Sequence, residues 1–64
     1  MTPWQIGTLY TRAGKVKEAL DWLEKAYEAR DQNMPYISVD PIFDSLRNHP
    51  RFQELLRRMN LPQL

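Results

Sequence analysis

The chain contains no cysteine, so neither a disulfide framework nor a thiolate metal site can support it. It has one histidine, His49, which leaves no second ring to complete a common zinc site. Charge of a dominant sign is missing as well: nine basic residues face eight acidic ones, for a net charge of +1. That balance gives no electrostatic reason to expect nucleic acid or an anionic membrane as partner. No apolar run approaches the roughly 20 residues needed to cross a bilayer, and the N-terminus lacks the basic region and apolar segment of a leader. A cytoplasmic location is the default expectation. With 64 residues there is room for one domain, whose small core leaves little surplus over conformational entropy. Regular helix packing or association must supply the stability.

What the chain does have is helical periodicity. The stretch from Val16 to Arg30 carries Val16, Ala19, Leu20, Leu23, Ala26 and Tyr27 at three- and four-residue steps, which places them on one face of a helix. Trp22, Ala26 and Ala29 form a second, narrower flank. A helix with two apolar flanks needs two neighbours, and the segments before and after it are expected to cover one each. Upstream, Thr2, Pro3 and Gln5 form a helix start, with a capping hydroxyl, a proline whose missing donor is not needed, and a glutamine that completes a capping box. The first helix is expected from Pro3 to Ala13, burying Ile6, Leu9, Tyr10 and Ala13, with Gly14 ending it in the left-handed conformation. Gly7 lies inside this helix, where glycine costs roughly 1 kcal/mol relative to alanine, so close approach of another backbone is expected there. Ala19 and Ala26 are the expected small partners.

Downstream, Asp31 to Met34 reads as a polar exit, and Tyr36, Ile37 and Val39 as a short helical turn, since no second strand exists to pair with them. Asp40 and Pro41 start a short helix to about Arg47 with Ile42, Phe43 and Leu46 inward. Asn48 is expected to cap a last helix, with Pro50 in its first turn and Phe52, Leu55, Leu56 and Met59 as its apolar stripe. Asn60 and Pro62 stop it. The fold class is therefore all-α: a helix-turn-helix over residues 1–33, followed over residues 34–64 by one or two short helices and a closing C-terminal helix, in one compact domain.

Ile6, Gly7, Tyr10, Ala19, Leu23 and Ala26 resemble, without a gap, the signature positions of a tetratricopeptide repeat. Pro3 stands where that family usually has a bulky residue, and Asp31 where proline often closes the repeat. The stretch from Asp40 to Leu56 resembles the ending of the final repeat in many bacterial signalling and regulatory proteins. The resemblance implies an antiparallel helical hairpin with a terminal helical cap laid over Trp22, Ala26 and Ala29. It also implies a protein-protein interaction module, the terminal repeat of a larger protein or a small self-associating adaptor. In the family, the side of the first helix holding Trp4, Gln5, Thr8, Thr11 and Arg12 lines a peptide groove, so these are the partner-binding residues by resemblance. The competing expectation for Trp4 is packing, on a preceding repeat or against the start of the hairpin. The expected partners are a protein or peptide, upstream repeats, or a second copy of the chain. Because Met1 falls almost at the helix start, the chain reads as the end piece of a longer one.

Chemistry is sparsely represented. Catalysis needs converging acid, base or nucleophilic groups, and His49 is read as a first-turn residue of the last helix. Asp40 is read as a cap and Asp44 as a partner of Arg47. No enzyme activity, cofactor or metal is expected. The rival class is a small nucleic-acid-binding helical domain using Arg51, Arg57 and Arg58. It is disfavoured, because from Met34 onward four arginines meet Asp40, Asp44 and Glu54, and Glu54 precedes Arg58 in the favourable pairing order.

Overall fold

The computed structural model describes residues 2–59. Among them the elements are α1 (Pro3–Arg12), α2 (Val16–Glu28), a first 3-10 helix (Met34–Ser38), a second 3-10 helix (Pro41–Leu46) and α3 (Pro50–Arg58). All are helical, as the periodicity predicts, and the described residues contain no strand.

Local chemistry accounts for the boundaries. The Gln5 N–H donates to Thr2 Oγ1 at 3.2 Å and the Thr2 N–H donates to Gln5 Oε1 at 3.1 Å, the reciprocal capping box. At the other end Gly14 takes φ +76°, and the N–H groups of Gly14 and Lys15 donate back to the Thr11 and Tyr10 carbonyls. This closure uses the left-handed backbone to satisfy carbonyls that the helix leaves open. α2 closes in the same way one residue type less comfortably. Arg30 adopts φ +56°, while the Arg30 and Asp31 N–H groups donate to the Tyr27 and Ala26 carbonyls at 3.0 Å. The helix thus stops at Glu28, two residues before the expected Arg30, because the chain must already be left-handed there. Asp31 then opens the exit, its side chain accepting from the Asn33 N–H at 2.8 Å.

The C-terminal half is held by caps and one clamp. Met34 and Ile37 of the first 3-10 helix turn inward, while Tyr36 and Val39 stay exposed. Asp40 caps the next element by accepting from the Ile42 N–H at 3.1 Å. That element is a 3-10 helix ending at Leu46, tighter than an α-helix and suited to so short a piece. Arg47 ties the two 3-10 helices together, donating to the Ser38 carbonyl at 2.9 Å, the Asp40 carbonyl at 3.3 Å and the Asp44 carboxylate at 2.7 Å. The cap of α3 is His49, whose Nδ1 accepts from the Arg51 N–H at 3.3 Å, and not Asn48. With Pro50 as the first helical residue, the position immediately before it is the one that can cap. The expected stop at Asn60 and Pro62 lies outside the described residues.

One core joins the two halves. Trp4 of α1, Ala19, Leu20, Leu23 and Ala26 of α2, Met34, Ile37, Phe43 and Leu46 of the 3-10 helices, and Phe52, Leu55 and Leu56 of α3 pack as a single cluster. Phe43 lies between two rings: the Trp4 centroid is 5.4 Å away in an edge-on arrangement and the Phe52 centroid 6.1 Å away. The narrow flank of α2 is covered only at Ala26. Ala29 is exposed and Trp22 half-buried, with the Lys25 ammonium 4.2 Å from the Trp22 ring. α3 instead attaches beside that flank, through Arg51 to Asp21 and Glu24 and through the Tyr27 hydroxyl, which donates to the Arg58 carbonyl at 3.4 Å.

Candidate docking face on the first helix

Gly7 decides how α1 is turned. A Cβ there would lie 3.0 Å from Leu23 Cδ2 and 3.2 Å from Leu23 Cγ, so the missing side chain is what lets Leu23 seat against the α1 backbone. Trp4 and Thr11 stand three residues before and four residues after Gly7, on the same side of the helix. Once Gly7 meets α2, those two follow it inward. Trp4 covers Phe43, and the buried Thr11 hydroxyl donates to the Gly7 carbonyl at 2.8 Å, so its polar group is satisfied inside the helix and burial costs little.

The opposite side of α1 is left open. The expectation that Ile6, Leu9, Tyr10 and Ala13 form the buried stripe is overturned. Leu9 is 51 % exposed, Ala13 is exposed, and Ile6 and Tyr10 are only half-buried. Together the four line an open depression of about 330 Å³. Each residue advances about 100° around an α-helix, so Leu9 lies about 200° from Gly7 and cannot share its side.

The residues expected to contact a partner are not exposed together. Trp4, for which packing is the competing expectation, is 9 % exposed and packs on Phe43 of the second 3-10 helix, and Thr11 is buried with it. Thr8 is half-buried and its hydroxyl donates to the Gln5 carbonyl at 2.8 Å. Gln5 is exposed but engaged in the capping box, and Arg12 is exposed. Of the five, Arg12 alone is exposed without a polar partner among the described residues, three residues beyond Leu9. Aliphatic periodicity alone predicts the wrong side of α1 as the core. Gly7 was the residue that pointed to the other side.

The arginines of the tail are engaged with carboxylates. Arg51 Nη2 lies 2.8 Å from Asp21 and 3.0 Å from Glu24, Arg57 3.2 Å from Glu54, and Arg58 4.0 Å from the same carboxylate. The hydrogen bond to Asp21, reinforced by Glu24 against a smaller opposing effect of burial, raises the Arg51 pKa above its ordinary value. The guanidinium therefore stays charged at any physiological pH. Among the described residues no group of three His, Cys, Asp or Glu side chains could hold a metal ion, and none of their helices is long and apolar enough to cross a membrane.

Comparison of the chain with family models, with curated proteins and with solved structures returned no match.

Proposed function

We propose that the chain is a protein-interaction module of tetratricopeptide-like design, with the open side of α1 as its docking face for a partner helix. The observation that carries the reading is Leu9, a large aliphatic residue half-exposed in the lining of an apolar depression. Leaving such a stripe in water forgoes roughly 25 cal/mol for each Å² of apolar surface, a driving force that any complementary surface can recover. The neighbour that suits it is another helix, because side chains at three- and four-residue spacing form the ridges and grooves into which a second helix packs. Units of a repeat protein leave an apolar edge of this kind for a neighbouring helix. The agreement of Ile6, Gly7, Tyr10, Ala19, Leu23 and Ala26 with the repeat pattern supports this design, as does a tail that closes the other side of α1. On this reading the chain is the terminal unit of a larger, bacterial-type signalling or regulatory protein, or a small adaptor.

The ion pairs of Arg51, Arg57 and Arg58 favour this reading over nucleic-acid binding, because those charges are already compensated. The test is selection of a displayed library of helical peptides on the intact chain. Binders with an apolar stripe, lost on Leu9→Glu and retained on Tyr36→Glu, are expected. A selection that yields no Leu9-dependent binder would sink the reading.

A further inference from the structure

We infer that the helix docked on α1 belongs to a partner protein and carries acidic residues flanking its apolar stripe. This rests on the reading of α1 as a docking face and specifies what fits it. The depression itself is uncharged, being lined by Ile6, Leu9, Tyr10 and Ala13. Its C-terminal end is basic. Arg12 lies one turn beyond Leu9 and adjoins Ala13, and Lys15 and Lys17 follow from the turn at that same end of the hairpin. All three side chains are exposed. None has a carboxylate within ion-pair distance among the described residues, where every pair involves Arg47, Arg51, Arg57 or Arg58.

α1 contains no acidic residue, and Glu18 is the sole acid up to Leu20, so Arg12, Lys15 and Lys17 against Glu18 leave a local charge of +2. Arg12, Lys15 and Lys17 thus place unpaired positive charge at that end of α1, while Arg51, Arg57 and Arg58 of the tail are paired with carboxylates. A second copy of the chain supplies no carboxylate from α1 to meet these cations. A partner helix with Glu or Asp beside its apolar positions satisfies both features at once. α1 spans only about 15 Å, so about three turns of that helix fill the face. Rim charges of this kind set partner choice and association rate more than total affinity.

The test uses the intact, ¹⁵N-labelled chain and two synthetic helical peptides of about 14 residues with the same leucine stripe, one flanked by glutamate and the other by lysine. The glutamate peptide is expected to shift the Leu9 and Ala13 amides and to bind at least about tenfold more tightly than the lysine peptide near 50 mM salt. That ratio should fall several-fold near 500 mM salt, where the screening length shrinks to a few Å. Arg12→Glu combined with Lys15→Glu should reverse the preference. If the lysine peptide binds as well through the same amides, the acidic partner is overturned and the docking face stands. If neither peptide moves those amides at millimolar concentration, both fall. Shifts of the same amides with protein concentration alone would assign the face to a second copy and overturn the acidic partner.

Discussion

One side of α1 presents Trp4, Gly7 and Thr11 and is sealed by α2 and the second 3-10 helix; the other presents Ile6, Leu9, Tyr10 and Ala13 and is open. Counted by aliphatic character, the open side is the better core. The difference shows that shape outranked hydrophobicity here. A glycine admits Leu23 to the helix backbone at a distance where a Cβ would be crowded, and a large aromatic ring beside it fills the space over Phe43. Interiors are packed closely enough that such fit decides which of two apolar stripes is buried. The stripe that lost stays apolar and open, and the proposed docking face rests on that.

The sharpest way to break this comparison is to truncate one residue on each side. Trp4→Ala removes a buried ring and the edge-on contact with Phe43, and should cost about 3–5 kcal/mol. In a domain of this size that is enough to unfold most of the population, visible as loss of the far-UV circular dichroism signal at 25 °C. Trp4→Phe, which keeps a ring in place, should leave a folded domain of reduced urea midpoint. Leu9→Ala, on the open side, should stay within about 0.5 kcal/mol of the parent. Equal costs for Trp4→Ala and Leu9→Ala would mean that α1 is turned differently from the arrangement described.

A smaller effect tests the lid over the sealed side. Arg47 holds the two 3-10 helices, and with them Phe43, through two backbone carbonyls and Asp44. Its side chain is 18 % exposed, so these charged hydrogen bonds are partly shielded from water. Arg47→Ala should cost about 2 kcal/mol, whereas Asp44→Ala, which removes only an exposed partner, should cost about 0.5 kcal/mol. Urea titrations of the two variants separate the carbonyl clamp from the surface ion pair.

What was legible in the sequence was local. The Thr2 and Gln5 capping box, the left-handed Gly14, the Asp40 cap and the pairing of Asp44 with Arg47 all lie within four residues, where helix geometry alone decides who meets whom. Non-local choices were not legible. Arg51 reaches Asp21 and Glu24 across some 30 positions, though nearby charges offered it other partners. His49 took the capping position from Asn48 because of where the helix began. Ile6, Leu9, Tyr10 and Ala13 are themselves visible as a stripe, yet nothing in their own pattern distinguishes a stripe to be buried from one left open. That distinction came from Gly7, whose cost in a helix is repaid only on the sealed side.

Gly7→Ala tests that last step directly. Alanine is the better helix former by about 1 kcal/mol, but its Cβ would press on Leu23 Cγ and Cδ2, and overpacking of this kind costs about 1–3 kcal/mol. The expected balance is destabilisation by about 1 kcal/mol, read from the urea midpoint at constant slope. A rise in the midpoint would mean that Leu23 yields freely and that Trp4 alone turns the helix.

Thr11→Val should have the least effect, although its side chain is buried. The hydroxyl it removes donates to the Gly7 carbonyl of the same helix, an acceptor that also serves the helix ladder, so no buried group is orphaned. The methyl group that replaces it fits the same volume. The net change should lie within about 0.5 kcal/mol. A cost above about 2 kcal/mol would mean that the sealed side depends on a specific polar contact of Thr11 and not on fit. Shape would then no longer explain which side of α1 is closed.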